Sequence, residues 1–233
     1  MIKKIFLGAA FAIWGNVAMA VEVNDPLESV NRPIASFNDT VDRYVLKPIA
    51  QGYDSVTPEF VQDGVSNFFD NLTYPIVVTN QFLQGKVKLG FQDTTRFLIN
   101  STFGIAGLFD VADKFGLKEH NEDFGQTLGV WGVTSGPYVV LPFFGPSSVR
   151  DAVARGGDYY IDPSNYEYFD DRRATKNRMT ALSVISTRAE LLKAERLISG
   201  DKYAFMRDAY LQKREDMVRD GKSETIDDPF LDD

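Results

Sequence analysis

The chain has 233 residues, 44% of them apolar and 25% charged, with a formal charge of −8 and a sequence pI of about 4.8. That is enough chain for one large folded domain, and the acidic balance excludes the basic footprint of a nucleic-acid binder and a general electrostatic grip on anionic headgroups. There is no cysteine, which excludes disulfides, a thiol nucleophile, a thiolate metal site and a lipidated cysteine, although 18 phenylalanines supply most of an aromatic content of 13%.

In chain order, the first twenty residues read as an export signal. Lys3 and Lys4 form the charged start, Ile5 to Ile13 the apolar stretch, and Ala18-Met19-Ala20 a small-x-small cleavage pattern. After it, Asp25 suits a helix N-cap, with Pro26 in the first turn and Glu28 at capping-box spacing. Pro33 and Pro48 predict two or three short helical pieces rather than one long helix. Thr57 and Pro58 start the next predicted helix, whose apolar stripe is Phe60, Val61, Val65, Phe68, Phe69 and Leu72. A restart is expected at Pro75 and a stop at Gly85. The following stretch, to Gly104, reads as a helix apolar nearly all round, a pattern of either a central core helix or one set in lipid. A short helix is expected over Ile105 to Leu117, bounded by glycines. The four glycines between Glu122 and Gly136 predict close packing, and "YVVLPF" is the best strand signal, weakened by Pro142. Ser147 is the expected cap of a helix over Ser148 to Gly157, and Tyr159 to Asp170 reads as a polar, aromatic-rich loop. From Arg172 two longer, charge-laced helices are predicted, separated by Gly200-Asp201, and the end is an acidic tail. No mature segment approaches the roughly 18 apolar residues of a transmembrane helix.

The usual chemical parts are missing. His120 is the single histidine, and Glu119, Glu122 and Asp123 around it offer oxygen ligands at a spacing that fits no familiar metal loop. Ser147 and Ser148 lack the G-x-S-x-G elbow of a hydrolase. Gly136 to Asp151, "GPYVVLPFFGPSSVRD", is highly apolar and cut by three prolines. It could be a catalytic loop, a core strand or a surface that meets lipid. Short helices with apolar faces can lie in one leaflet, and burying each Phe contributes about 1.5–3 kcal/mol.

Several long motifs then decide the matter by likeness. "DPLESVNRPIASFN" (Asp25 to Asn38), "VSNFFDNLTYPIVVTNQFLQG" (Val65 to Gly85), "TRFLINSTFGIAGLFDVA" (Thr95 to Ala112), "EDFGQTLGVWGVTSGPYVVLPFFGPSSVRD" (Glu122 to Asp151) and "STRAELL" (Ser186 to Leu192) together resemble the MlaA/VacJ family. The resemblance runs over most of the chain after the signal. It implies a mainly α fold: a ring-like bundle of short, Pro/Gly-interrupted amphipathic helices with a central channel, plus longer C-terminal helices. It implies residues 1–20 as signal peptide, 21–221 as the family domain and 222–233 as a disordered acidic tail.

The resemblance also implies a function. A member of this family is expected to move phospholipid at the outer membrane without enzymatic chemistry or cofactor. It takes phospholipids misplaced in the outer leaflet and passes them to a soluble periplasmic carrier, in association with a trimeric porin. The expected lipid-contacting residues are Phe68, Phe69, Phe82, Phe97, Leu141, Phe143 and Phe144. Many members carry a lipobox cysteine after the signal; this sequence has none, so the expected location is the periplasmic side of the outer membrane without a lipid anchor. Two other readings stay open at this level: a soluble periplasmic binding or scaffold protein with a Phe-rich partner surface, and a periplasmic lipid hydrolase using Ser147, Ser148 or His120.

Overall fold

A computed structural model describes residues 25–165, 172–195 and 200–221. The signal segment, part of the aromatic-rich loop and the acidic tail lie outside the described residues. The rest is mainly α: α1 (Glu28–Val41), α2 (Lys47–Val56), α3 (Glu59–Leu83), α4 (Val87–Thr102), α5 (Phe124–Val130), α6 (Val149–Ile161), α7 (Arg172–Ala194) and α8 (Lys202–Val218). One small antiparallel hairpin, β1 (Tyr138–Leu141) and β2 (Gly145–Ser148), is inserted before α6.

The prolines break fewer helices than expected. α1 and α2 form one continuous rod, because a π-helical turn (Asp42–Leu46) joins them. In that turn the Lys47 N–H donates to the Asp42 carbonyl, one residue further back than in an α-helix. The widened turn makes room for the Pro48 ring, which would otherwise press on the carbonyl four residues before it. α3 likewise runs 25 residues straight through Pro75. The lost backbone bond is offset by side chains on both sides of Pro75, Asn71 and Tyr74 before it and Gln81 after it, all tied across to α4 or its neighbourhood. Thr57 does not cap this helix by its side chain; Pro58 occupies the N-cap position.

The short helix expected over Ile105 to Leu117 does not form. Ile105, Ala106 and Gly107 all have φ between 55° and 93°, a left-handed run that reverses the chain. Gly107 is required there, since a Cβ would stand 2.4 Å from that of Asn71. Only a single 3₁₀ turn follows, at Asp113–Phe115.

The hairpin is anchored by two asparagines of α1. Asn31 donates to the Tyr138 carbonyl (3.0 Å) and accepts from the Val140 N–H (2.9 Å). Asn38 donates to the Leu141 carbonyl (2.9 Å) and accepts from the Phe143 N–H (2.8 Å). A side-chain amide offers one donor side and one acceptor side, as a peptide does. Two of them, two helical turns apart, therefore satisfy the free edge of β1 in place of a third strand. The strand ends at Leu141, before Pro142, as the sequence suggests. The cap of α6 is Ser148 rather than Ser147: Ser148 Oγ accepts from the Asp151 N–H at 3.1 Å, while Ser147 is buried in β2. α6 extends to Ile161 and thus takes up the start of the expected loop. At the other end Asp201 caps α8 by accepting from the Tyr203 N–H, and Gly200 (φ 73°) makes the turn before it.

Candidate functional site

The interior of this molecule is polar. Apart from glycines, fourteen described residues with polar or charged side chains are buried, against eight apolar ones. Those eight are four alanines, three tyrosines and one valine; no described Leu, Ile, Met, Phe or Trp is fully buried. A water-soluble domain of this length buries its large apolar residues first. Here many of them are outside: Phe91, Leu98, Phe103, Phe109, Phe143 and Phe144 are all more than half exposed. Of the two readings its sequence allows for α4, a central core helix or one set in lipid, the structure rules against the first. Val87, Phe91 and Leu98 form the exposed stripe of α4, and Gly90, Asp93, Arg96 and Asn100 face inward.

The inward stripe meets α3 in a polar seam. Asp93, with no exposed surface, accepts from the Tyr74 hydroxyl (2.9 Å) and from Gln81 Nε2 (3.0 Å), and lies 2.8 Å from His120 Nδ1. One helical turn on, Arg96 pairs with Asp110 and donates to the Leu117 carbonyl. Asn100 donates to Asp110 (3.1 Å) and accepts from the Ala112 N–H (2.9 Å). The seam thus fastens the irregular chain from Gly104 to His120 onto the α3–α4 pair. It opens into a small, shallow cleft lined by Asn67, Asp70, Asn71, Tyr74, Arg96, Asn100, Asp110 and Glu119. Partial desolvation there, with Glu119 and Glu190 nearby, pushes the Asp70 carboxyl up to about 6.

A second polar cluster joins α5, α6 and α8. Arg214 pairs with Asp123 and with Asp151 (3.0 Å), and Asp151 also accepts from Tyr210 (2.6 Å) and Arg150 (2.9 Å). Burial alone would raise the Asp151 carboxyl, but these three donors hold it down at about 2. Gly125 and Gly129 permit this: a Cβ at Gly125 would meet Asp151 and Arg214, and one at Gly129 would meet Arg150 and Val218. Two of the four glycines of this stretch thus pack as closely as expected, whereas Gly132 and Gly136 serve positive φ angles of 90° and 67° instead.

Asp158, on α6, is different. It accepts from the Phe124 N–H (2.9 Å) and Asn80 Nδ2 (3.3 Å) but has no salt-bridge partner among the described residues. Desolvation, with Asp123 nearby, pushes its carboxyl up to about 6. Its folded pKa exceeds its unfolded one, so its stabilising contribution is complete below about pH 4 and is lost as the pH rises through 6. Asp158→Asn keeps an oxygen for both donors. It is expected to stabilise the fold by about 1–2 kcal/mol at pH 7.5, roughly half the full value of a two-unit shift because the group is partly solvated, and to be neutral at pH 4. Denaturant titration at the two pH values checks this.

The residues considered for chemistry are dispersed. Glu119, Glu122 and Asp123 face three different cations, Arg96 (3.6 Å), Lys86 (3.0 Å) and Arg214. Among the described residues no group of acids and histidine is placed to hold a metal ion. Ser147 and Ser148 belong to the hairpin and the α6 cap, and His120 to the α3–α4 seam; no hydrogen bond among the described residues joins them. Of the residues expected to touch lipid, Phe143 and Phe144 are well exposed and Phe82 only partly so, while Phe68, Phe69, Phe97 and Leu141 are half-buried. The inward polar set (Asn71, Tyr74, Gln81, Asp93, Arg96 and Asn100) was missed by a reading that followed only apolar residues. Its signal was present as polar residues recurring at helical spacing inside otherwise apolar helices.

A family model described as MlaA lipoprotein matches residues 23–217. The intermembrane phospholipid transport system lipoprotein MlaA of Escherichia coli is 34% identical over 212 residues, 88% of this chain and 83% of the relative. Its Haemophilus influenzae counterpart is 31% identical over 86% of this chain and 82% of that protein. An uncharacterised protein of Rickettsia typhi is 36% identical over 85% of this chain and 80% of its own length. A solved structure from work on the "Structural basis for maintenance of bacterial outer membrane lipid asymmetry" superposes with a TM-score of 0.70 at 35% identity, covering 84% of this chain and 99% of that one. On the family match, the length of these alignments and the shared fold, the chain belongs to the MlaA lipoprotein family.

Proposed function

We propose that this protein is a phospholipid-transport component of the outer membrane, exported by its first twenty residues and seated in one leaflet. Its task is to withdraw phospholipids from the outer leaflet and pass them to a soluble periplasmic carrier, next to a trimeric porin. The observation that carries this reading is the inverted burial: large apolar side chains outside, amides and carboxylates inside. In water that arrangement leaves apolar surface unburied all round; in hydrocarbon each exposed Phe or Leu is solvated favourably. No described helix is long and apolar enough to cross a membrane, which fits seating in a single leaflet.

A headgroup crosses hydrocarbon slowly because its charges lose their water. The polar residues that border the small cleft beside α3 and α4, Asn67, Asp70, Asn71 and Glu119 among them, offer a headgroup hydrogen bonds in place of part of that hydration. The exposed rings of Phe143 and Phe144 and the partly exposed Phe82 are the surfaces for acyl chains, with Phe68, Phe69, Phe97 and Leu141 offering less area. No bond is made or broken in this scheme. The names of the relatives and the fold of the solved structure support it.

The test is extraction. The full chain is expressed in a Gram-negative host, the membranes are separated, and washed first with salt and then with detergent. The expected result is recovery from the outer membrane only with detergent, with phospholipid bound. Release by salt or osmotic shock without lipid overturns the reading.

A further inference from the structure

The outward face of α6 has an unusual make-up for a chain with 33 acidic residues and a net charge of −8. Val149, Val153 and Tyr160 fall within about 40° of one another on the helix, and all are exposed. On one flank of this apolar face stands Tyr159, about 80° round the helix from Val149, with Arg155 one turn earlier about 40° further on. The helix's two carboxylates, Asp151 and Asp158, stand about 40–60° beyond Arg155 but are engaged inside the fold, with Arg214 and with the Phe124 N–H. The flank continues at both ends. The Arg155 guanidinium lies 5.5 Å over the ring of Phe144, at the tip of the hairpin, and Lys176 of α7 lies 5.7 Å over the ring of Tyr159. Neither cation has a carboxylate partner among the described residues; Lys176 donates only to the Asn165 amide oxygen.

We infer that this edge sits at the headgroup level of the leaflet and that Arg155 and Lys176 bind lipid phosphates. The inference rests on the lipid reading above and adds to it the depth of one edge and two phosphate ligands. Three properties of the edge support it together. Cations without acidic partners among the described residues, in a strongly acidic protein, complement an anionic group that arrives from outside. Arginine forms two parallel hydrogen bonds to a phosphate, and both long stems can lie along apolar surface while the charge reaches the headgroups. Tyrosines beside them are the residues that favour the boundary between hydrocarbon and water, with Val149 and Val153 on the hydrocarbon side. The net charge of the whole chain excludes a general electrostatic grip on headgroups; this is a local one.

The absence of cysteine makes the test direct. Single cysteines placed at Val153 and at Lys176 carry a nitroxide in the purified full chain, reconstituted in vesicles of phosphatidylethanolamine with one quarter phosphatidylglycerol. The Val153 label is expected to be protected from a water-soluble relaxant and reached by oxygen, and the Lys176 label to lie at phosphate depth. In parallel, the double variant Arg155→Gln/Lys176→Gln is expected to partition roughly tenfold more weakly into these vesicles, since each cation near an anionic surface has a sizeable effect. Unchanged partitioning of the double variant, with both labels open to water, overturns the inference while leaving the lipid reading intact if the parent chain still enters vesicles. Failure of the parent chain to enter vesicles at all sinks the lipid reading itself. Protection of the Val153 label only when another protein co-purifies assigns the face to a protein partner, and likewise overturns the inference.

Discussion

Asp93→Ala is expected to destabilise the folded protein by about 3–5 kcal/mol, enough to prevent its accumulation. The carboxylate is fully buried and is the common acceptor for Tyr74 and Gln81, with His120 alongside. Truncation leaves those groups facing an empty polar site, and an unpaired buried donor costs more than the original hydrogen bond contributed. It also releases His120 and with it one end of the irregular chain over the α3–α4 pair. Asp93→Asn should be far milder, about 1–2 kcal/mol. Its Oδ1 can still accept from Tyr74. Its new amide faces Gln81, whose Oε1 has no partner in the native fold and becomes the acceptor if the Gln81 amide turns over. Folded yield in detergent, followed by denaturant titration of both variants, measures the pair. An alanine variant as stable as the asparagine variant would show that the seam does not hold the fold together.

Phe91→Asp combined with Leu98→Asp probes the opposite side of the same helix, and its expected outcome differs in kind. Both residues lie on the exposed stripe of α4, Phe91 edge-on to Phe82 at 5.4 Å. In water two such exchanges at exposed positions change stability little, beyond about 1 kcal/mol for the ring contact. In hydrocarbon each carboxylate is opposed by as much as about 2.5–3.5 kcal/mol, less if it lies near the headgroups. The double variant should therefore stay folded in detergent yet move from the detergent-extracted to the salt-extracted fraction. If it fractionates as the parent chain does, this stripe does not face acyl chains. The two experiments separate the polar interior, which fixes the fold, from the apolar exterior, which fixes the location.

The sequence shows the helical class because its start and stop signals are local: Asp201 and Gly200 at α8, Gly85 after α3, the proline that ends β1. It shows the family because the motifs are long and in order. It finds α6 but ends it four residues early and misassigns its cap by one residue, since Ser147 and Ser148 are adjacent and only strand pairing of Tyr138 with Ser148 decides which one the helix starts from. It overstates the breaks at Pro33, Pro48 and Pro75. A proline removes one backbone bond locally, while the side chains that make continuation favourable come from segments far along the chain.

What the sequence determines by itself is therefore a mainly α chain with the composition and motifs of its family. Which face of each helix turns inward is decided only by the tertiary structure. Helical period marks an apolar stripe and a polar stripe equally well, and the period is the same whether the surroundings are water or lipid. The choice depends on whether Asp93 finds Tyr74 and Gln81 from another helix, and Arg96 finds Asp110 from the loop that follows. Those partners make an inward carboxylate less costly than an inward phenylalanine, and so leave the phenylalanines on the outside.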